Sequence, residues 1–411
     1  MRQLLRNTTL MFFLGAALVF ILVQVLINKG VINAYWQTIL FWGAAMTMVS
    51  LGLNLIYGFN GQFSLGQYGF YALGAYTSAD ITWRWVRGDP SALVVVIGGT
   101  ILALLFMWGV ANFLKRFYGV SVLTEFVFHS LATVIGFAIA LKVLRPYLGP
   151  TIYSLIQSLP EPVSRQIVFF LALLGGAAVA GIVSFLFGIP VLTLGSDYFG
   201  IATLGFTIIV KVLADNSDTI LPFPEMKGAR GMVGIPKWTT WPWVFITLMF
   251  VILFMRNLLH SSVGRAIVSV REDERAASLM GIDVARTKIL AFVIGSVFAG
   301  IAGGIRAHDL AFVHPTMFGF LPSFNPLIIV VFGGLGSMTG TIVTSFFWVF
   351  LLEGVLRLIL PTGFENWRYV VYPLVLLLLM LLRPQGLFGR YEIPFLRQTY
   401  PPVRKPAEVR G

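Results

Sequence analysis

The sequence contains no cysteine and few charged residues: only 11% of its 411 residues are Asp, Glu, Lys or Arg. The absence of cysteine excludes disulfides, thiol catalysis and cysteine-ligated metals. No G-x-x-x-x-G-K-[ST] sequence occurs, which excludes ATP binding through a P-loop. The four histidines, His129, His260, His308 and His314, show no metal-ligand spacing such as H-E-x-x-H. We therefore predict no catalytic residue, no metal site and no cofactor bound by this chain itself.

Apolar residues are abundant. They make up 57% of the chain, and the mean hydropathy is +0.86. The long continuous apolar runs favour membrane-spanning helices, because the strands of a barrel alternate instead. The sequence predicts an all-α fold, a polytopic transmembrane helical bundle of about 10–12 segments within a single membrane domain, 1–411. The predicted segments are 8–28, 34–57, 66–82, 91–113, 121–144, 166–188, 197–214, 241–258, 289–306, 321–335, 339–358 and 368–382, of which 66–82 and 321–335 are short enough to be partial or re-entrant.

The net charge of +12 comes from basic residues at segment ends and in the tails. Topology explains these residues better than a nucleic-acid surface does, because basic residues concentrate on the cytoplasmic side of membrane proteins. The N-terminus, the turns at 114–120 and 189–196, the loop at 256–288 and the C-terminal tail hold most of the excess, which places them in the cytoplasm. We predict a multi-pass protein of the bacterial or archaeal cytoplasmic (inner) membrane with no nucleic-acid partner.

Two loops are too polar to be simple turns. Residues 215–240 form a Pro- and Gly-punctuated segment on the outer side, and 259–288 form the main internal cytoplasmic segment. Apolar residues at nearly helical spacing between Ala266 and Met280 predict a helix in the second loop. An amphipathic helix there fits either the groove of a soluble partner or the surface of the lipid headgroups, and the sequence leaves both interpretations open.

The cytoplasmic loop carries a pattern that resembles the coupling loop of ABC-importer permeases. Glu274-x-Ala276-Ala277-x-x-x-Gly281 follows a charged run. In that family the small Ala pair and the turn-forming Gly allow a short helix to seat in a cleft of the ATPase subunit. The residues that the resemblance assigns to ATPase coupling are Arg271, Glu272, Asp273, Glu274, Ala276, Ala277 and Gly281.

Longer motifs are similar to those of the branched-chain amino-acid ABC transporter permease family. They run in the family's order over most of 34–82 and 185–390. The matching stretches are Gly52-Leu53-Asn54-Leu55, Gly58-Phe59-Asn60-Gly61-Gln62-Phe63-Ser64-Leu65-Gly66, Gly74-Ala75-Tyr76, Asp197-Tyr198-Phe199, Ala202-Thr203-Leu204-Gly205-Phe206, Gly264-Arg265-Ala266, Gly333-Gly334-Leu335-Gly336-Ser337 and Arg383-Pro384-Gln385-Gly386-Leu387-Phe388-Gly389-Arg390.

The chain departs from the family pattern in three places. The stretch 83–165 is longer than usual, and we interpret it as an inserted helical hairpin, 91–113 and 121–144. Gln67 stands where relatives commonly carry histidine, and Lys211 where arginine is common. An added pair of spans leaves the orientation of the following segments unchanged, so the hairpin does not alter the predicted fold.

The resemblance implies the helix arrangement of type II ABC importers and a permease subunit that translocates branched-chain amino acids. Urea, short amides and other amino acids are alternative substrates. The implied partners are a second homologous permease subunit, two ABC ATPase subunits that bind ATP and Mg, and a periplasmic or extracellular substrate-binding protein. That protein would deliver the small-molecule substrate to the outer loops, including 215–240, while the ATPases would dock on 264–288.

Two glycine-rich segments repeat one spacing. Gly58-x-x-Gly61-x-x-Ser64 occurs early in the chain, and Gly333-x-x-Gly336-x-x-Thr339 occurs late. Paired interrupted segments point to a transport route between two halves, whereas tight packing turns between helices would produce the same pattern. The residues predicted for a translocation path or its hinges are Asn60, Gly61, Gln62, Ser64, Gly66, Gln67, Gly333, Gly336 and Thr339.

Small residues in 289–306 form two stripes at helical spacing, Gly295/Ala299/Gly303 and Ser296/Gly300/Gly304. Such stripes let neighbouring backbones approach closely. They predict packing within the subunit, with a contact to a second permease subunit as the alternative.

Three pairs of ionisable residues lie four residues apart within predicted spans: Glu353/Arg357, Lys211/Asp215 and Glu125/His129. This spacing predicts neutralising intrahelical pairs. A proton relay is the alternative, and it would make the chain a proton-coupled secondary carrier. The carrier would need an ion gradient and a buried carboxylate, whereas the importer needs an external ATPase and residues 272–281; a channel or scaffold would need neither.

Overall fold

The structure is a computed structural model that describes residues 2–116, 121–192, 196–219 and 224–355, together with 374, 377–378, 381–383, 385–389 and 391–397. The α-helices in these ranges are α1 (Arg2–Asn28), α2 (Ala34–Leu53), α3 (Gln67–Val86), α4 (Ser91–Leu114), α5 (Val122–Ile139), α6 (Arg145–Gln157), α7 (Glu161–Val191), α8 (Ser196–Asp215), α9 (Trp241–His260), α10 (Ser262–Glu272), α11 (Glu274–Leu279), α12 (Val284–Leu310), α13 (Asn325–Gly333) and α14 (Met338–Val349). Helices α2, α5 and α14 continue into π-helical turns at Asn54–Phe59, Ala140–Leu144 and Phe350–Val355. The predicted segment 368–382 lies largely outside the described residues.

Eight helices in the described part of the chain are long and apolar enough to cross a membrane. They are Thr9–Asn28, Ala34–Phe59, Ser91–Leu114, Val122–Gln157, Glu161–Val191, Tyr198–Asp215, Trp241–His260 and Val284–Leu310. Pro322–Gly333 and Met338–Leu352 are shorter apolar helices, so the prediction that 321–335 is a partial segment agrees with the structure. The prediction of an all-α, multi-pass membrane protein is confirmed.

Helix α3 differs from the short segment predicted at 66–82. It has 20 residues and extends to Val86, a length of about 30 Å. The sequence analysis underestimated the length of α3, because the charged residues Asp80 and Arg84 interrupt its apolar run. Their side chains are 10% and 18% exposed and form an ion pair with N–O distance 2.9 Å, so the charges are neutralised inside the bundle.

Helix α12 lies at the centre of the bundle, packed against α2, α3 and α7. The two small-residue stripes make this possible: a Cβ placed on Gly295 would lie 2.6 Å from the carbonyl oxygen of Gly52, and one on Gly303 would lie 2.1 Å from that of Tyr71. On the other stripe, a Cβ on Gly300 would lie 2.8 Å from the Cβ of Ala180. Both stripes therefore serve packing within the subunit, as predicted.

The two ends of α3 define the two sides of the bundle. Its first residues follow Gly61, which contacts Arg271 of the predicted cytoplasmic loop, and its last turn contacts Glu225 of the predicted outer loop. A small antiparallel sheet closes the outer side, where β1 (Met232–Val233) pairs with β2 (Phe312–Val313). The indole Nε1 of Trp83 donates to the carbonyl oxygen of Val233 over 3.1 Å, which fixes the outer loop to α3.

Candidate coupling site

The predicted coupling loop folds as two short helices rather than one. Asp273 separates α10 from α11 with an extended backbone (φ −159°), and its carboxylate accepts hydrogen bonds from the backbone N–H groups of Arg275 (2.8 Å) and Ala276 (3.0 Å). An aspartate that satisfies the first free N–H groups of a helix is a strong N-cap. The single helix expected from apolar spacing was wrong, because this cap starts a new helix in a new direction.

Helix α11 presents an apolar tip to solvent. Leu279 and Met280 are 88% and 83% exposed, whereas Ala277 is only 4% exposed and faces the body of the protein. The sequence analysis included Met280 in the apolar series of the predicted helix, and the resemblance gave the Ala pair to the partner; the structure leaves only Ala276 of that pair exposed. Neither Leu279 nor Met280 was among the predicted coupling residues, because an exposed apolar tip cannot be distinguished from a buried face by spacing alone.

Gly281 ends this helix in a left-handed conformation, with φ +83°, and a Cβ placed on it would meet no atom of the described residues within 4 Å. Its backbone N–H donates to the carbonyl oxygen of Ser278 (3.0 Å), and that of Ile282 donates to the carbonyl oxygen of Ala277 (3.1 Å). Glycine adopts this conformation without steric strain and is therefore favoured immediately after a helix. The turn directs the chain into α12.

Arg271, at the end of α10, connects the coupling loop to the glycine-rich segments. Its Nη1 donates to the carbonyl oxygen of Gly58 over 2.5 Å. A Cβ on Gly61 would lie 3.3 Å from the Cγ of Arg271, and one on Gly336 would lie 3.0 Å from its Nη1. The structure therefore brings one predicted coupling residue into contact with both predicted glycine segments.

The two glycine segments also bind each other through Asn54, which is fully buried. The Oδ1 of Asn54 accepts from the backbone N–H of Gly336 (2.9 Å), and its Nδ2 donates to the carbonyl oxygen of Ser337 (2.9 Å) and to Oγ1 of Thr341 (2.8 Å). Gly61 and Gly336 hold equivalent left-handed conformations, φ +78° and +81°. The repeated spacing thus corresponds to two similar turns in direct contact, and Asn54 was missed because its partners lie far away in the sequence.

The polar residues of the first segment are buried. Asn60, Gln62, Ser64 and Gln67 are 2%, 6%, 0% and 1% exposed. The Nδ2 of Asn60 donates to Oε1 of Gln62 over 3.0 Å, and Ser64 Oγ accepts from the backbone N–H of Gly66. Three buried side-chain atoms here have no hydrogen-bond partner among the described residues: Nε2 and Oε1 of Gln67 and Oδ1 of Asn60.

Helix α8 holds the same segment from the other side. Thr203 Oγ1 accepts from the backbone N–H of Leu65 (3.0 Å), and a Cβ on Gly66 would lie 3.0 Å from the Cβ of Thr203. This close contact explains why Gly66 precedes α3. The sequence pattern alone does not distinguish this packing role of Gly66 from a role in a translocation path.

Gly333 and Thr339 are engaged in packing at the α13–α14 turn. A Cβ on Gly333 would lie 2.6 Å from the carbonyl carbon of Gly340. Thr339 contacts residues 391–397, which we call the C-terminal strap: its Oγ1 donates to Glu392 Oε2 over 2.5 Å and accepts from the backbone N–H of Ile393 over 3.0 Å. The Glu392 carboxylate also accepts from the backbone N–H groups of Met338 and Thr339. A carboxylate at this position neutralises the free N–H groups at the start of α14.

The three predicted intrahelical pairs have different outcomes. Lys211 Nζ and Asp215 Oδ2 lie 2.6 Å apart, so that pair is confirmed. The Glu125/His129 pair was wrong: His129 Nδ1 is hydrogen-bonded to the carbonyl oxygen of Glu125 at 2.8 Å, and the carboxylate is exposed. The side chains of Glu353/Arg357 lie outside the described residues.

A buried ionic cluster at the outer end of α3 was not predicted. Arg84 bonds Asp80, and its Nη2 also donates to Glu225, whose side chain is 5% exposed. Asp89 lies nearby and accepts from the N–H and hydroxyl of Ser91. Partial burial alone would raise the pKa of Asp89, but the bonds from Ser91 and the charges of Arg84 and Arg145 outweigh it and lower this pKa. The cluster joins α3, α4 and the outer loop.

Comparison with known proteins identifies the family to which the chain is similar. The family model described as the permease component of branched-chain amino acid transport systems matches residues 35–145 and 128–380. The high-affinity branched-chain amino acid transport system permease protein LivM of Escherichia coli is 27% identical over 396 residues, covering 88% of this chain and 71% of that protein. LivH of Escherichia coli is 30% identical over 153 residues, covering 37% of this chain and 47% of that protein.

An archaeal relative is also similar: the probable branched-chain amino acid transport permease protein LivM of Methanocaldococcus jannaschii is 24% identical over 281 residues, covering 64% of this chain and 79% of that protein. No solved structure matches the chain. The family model extends through the stretch that the sequence treated as an insertion and through both glycine segments. Together with the membrane-spanning helices, this match shows that the chain belongs to the family of branched-chain amino acid transport permeases.

Proposed function

We propose that the chain is the permease subunit of an ABC importer for branched-chain amino acids, working with a second permease, two ATPase subunits and an extracytoplasmic binding protein. The matched relatives bear names of branched-chain amino acid transport permeases, which supports this class of cargo. In this proposal the partner ATPases bind ATP and Mg, and this chain is a membrane subunit without catalysis of its own. The outer loop at 224–240 is the surface offered to the binding protein.

The observation that carries the proposal is the exposed apolar tip of α11. Leu279 and Met280 are large apolar side chains with 88% and 83% exposure, beside charged residues such as Glu274. An exposed apolar pair within a charged surface suits a short helix that inserts into a groove of a soluble partner. Met280 and Leu279 would fill the groove of the ATPase, and Asp273 would keep the helix at the angle needed to enter it.

Arg271 gives this docking helix a mechanical connection to the membrane helices. Closure of the ATPases on ATP would displace α11, and α10 would pass the displacement through Arg271 to the turns at Gly58 and Gly336. Those turns end α2 and begin α14, so both helices would move together. The unpaired amide of Gln67 and the Oδ1 of Asn60 support a hydrated route beside this point, because buried polar groups are normally hydrogen-bonded.

The experiment is co-purification of the chain with the ATPase subunits encoded beside it, comparing wild type with Met280→Asp. We expect the variant to lose the ATPases while it inserts into the membrane normally, because a carboxylate would be buried in an apolar groove. Val31→Asp is the control, since Val31 is also exposed (66%) but lies between α1 and α2 on the opposite side. Equal ATPase recovery with Met280→Asp would refute docking through this tip.

A transport assay separates the importer from the carrier. Uptake of a labelled branched-chain amino acid into proteoliposomes should require internal ATP and the binding protein, and it should persist when an ionophore abolishes the ion gradient. Uptake that follows the ion gradient in the absence of ATPase would instead support the secondary carrier.

A further inference from the structure

A cavity of about 440 Å³ lies between α4, α5, α7 and α12, away from the coupling site. Its lining is almost entirely apolar. Met107, His129 and Ile182 form its inner part and are 7%, 2% and 4% exposed, whereas Leu104 and Trp108 are 54% and 69% exposed and form its rim. The cavity is therefore deep, and it opens on the side of the bundle that faces the membrane.

The helices around the cavity place it within the bilayer. The apolar windows of α4 and α7 have mean hydropathies of 2.5 and 2.4. Arg84 Nη1 donates to the hydroxyl of Ser91 (3.4 Å), which fixes the start of α4 at the outer side, so its other end lies at the cytoplasmic side. A sideways opening at this depth faces acyl chains, and an apolar cavity of this kind excludes water.

Two basic side chains lie close to the cavity, at the level of the lipid headgroups. Trp108 and Ala111 line the cavity, and Lys115 continues the same face of α4 one turn further, about 10 Å beyond Trp108. Lys115 and Arg116 are both exposed at the cytoplasmic end of α4. Basic side chains at that level attract the anionic lipids of the inner leaflet.

We infer that this cavity binds one acyl chain of an anionic phospholipid from the inner leaflet, with the headgroup phosphate at Lys115 and Arg116. The chain fills the space between the α4–α5 hairpin and the α7–α12 core and holds the hairpin against the core. Among the described lining residues, His129 alone is titratable; its Nδ1 is hydrogen-bonded with the carbonyl oxygen of Glu125, and its ring packs against Phe185 with centroids 5.5 Å apart. The His129 ring therefore forms part of the cavity wall as an aromatic side chain.

The test uses a phosphatidylglycerol that carries a photoreactive diazirine in one acyl chain, mixed into phosphatidylcholine vesicles with the full-length protein. Cross-linked residues are mapped by mass spectrometry. We expect cross-links on Met107 and Ile182, which bulk lipid cannot reach, in addition to lipid-facing residues such as Leu105 and Leu131 (57% and 54% exposed).

Filling the cavity should remove the inner cross-links and leave the outer ones. Ala178→Phe does this from α7, and Ala111→Leu does it from α4 if the first variant fails to insert. Leu131→Phe is the matched control, because it adds an aromatic ring on the lipid-facing side of α5. Lys115→Gln should reduce the inner cross-links several-fold, whereas Arg165→Gln, at the outer end of α7, should not.

Three outcomes would overturn the inference. Cross-links confined to Leu105 and Leu131 would mean that no acyl chain enters. Cross-linking of Met107 or Ile182 to a second permease subunit would assign the cavity to a subunit interface. Equal inner labelling by a phosphatidylcholine probe, unaffected by Lys115→Gln, would refute the anionic headgroup.

Discussion

The Nη1 of Arg271 lies 2.5 Å from the carbonyl oxygen of Gly58, although 213 residues separate them in the sequence. Gly58 is in the π-helical turn that ends α2, and Arg271 is one turn before the α11 docking helix. The contact is a charge-assisted hydrogen bond to a backbone group. It connects the end of a membrane helix directly to the candidate coupling loop.

Arg271→Met should uncouple the ATPases from transport. Methionine keeps much of the length of the side chain but cannot donate a hydrogen bond, and a bond to a charged group contributes about 1.5–3 kcal/mol. We expect ATP-driven uptake to fall by about tenfold or more while ATPase recovery is unchanged. Arg165→Met is the control, since this arginine is 47% exposed, lies at the outer end of α7 and has no part in the coupling loop. Normal uptake by Arg271→Met would show that the contact transmits nothing.

Gly281→Ala should weaken ATPase docking without creating a clash. The position is open, so the only penalty is the left-handed backbone, about 1–2 kcal/mol for a residue with a Cβ. Relief of that strain would rotate Met280 and Leu279 away from their docking position. The measurement is the affinity of the ATPase for the detergent-solubilised protein. Gly205→Ala should leave it unchanged, because Gly205 also has open space but no positive φ.

Gly74→Ala should destabilise the bundle core. A Cβ there would lie 2.1 Å from the carbonyl oxygen of Gly300, a backbone atom that cannot move aside without separating α3 from α12. Overpacking of this kind costs about 1–3 kcal/mol. Thermal unfolding should show a lower Tm for Gly74→Ala. A Tm equal to that of the control Gly109→Ala, which meets nothing within 4 Å, would contradict the close packing of α3 on α12.

Arg84→Gln should destabilise the outer side, because Asp80 and Glu225 would remain buried without their cation. Breaking a buried ion pair from one side costs about 3–5 kcal/mol. The free energy of unfolding should fall accordingly, and Glu225→Gln added to Arg84→Gln should recover part of it by removing one carboxylate. Arg165→Gln breaks an exposed pair with Glu161 and should have an effect below about 1 kcal/mol. Identical effects of the two arginine variants would refute the burial of the cluster.

Local features of this fold were predictable from the sequence. Stripes such as Gly295/Ala299/Gly303 indicate how closely neighbouring helices approach, and long apolar runs indicate which helices are able to span a membrane. The ionic cluster was not predictable, because Arg84 and Glu225 are 141 residues apart and each looks like a surface charge alone. Asn54 shows the same limit, since its partners Gly336 and Thr341 belong to the other end of the chain.

At the candidate site, residue identity was more predictable than orientation. The charged run and Gly281 predicted where the candidate coupling loop lies, but they did not predict that the cap made by Asp273 turns α11 so that Ala277 faces inward and Met280 outward. A helical wheel cannot show such a change, because it assumes one continuous axis. The direction of α11 depends on the extended backbone of Asp273 (φ −159°, ψ 111°), which residue spacing does not encode.

The C-terminal strap has a consequence for biosynthesis. Phe395 stacks on Phe12 with ring centroids 4.0 Å apart, and its carbonyl oxygen accepts from Arg256 Nε (2.7 Å), while Glu392 caps α14. Residues 391–397 leave the ribosome after every other described residue, so α1, α9 and α14 enter the bilayer before their inner ends can be fastened together. A nascent chain that stops before Glu392 would hold all the described membrane helices but would lack the contacts that join the inner ends of α1, α9 and α14.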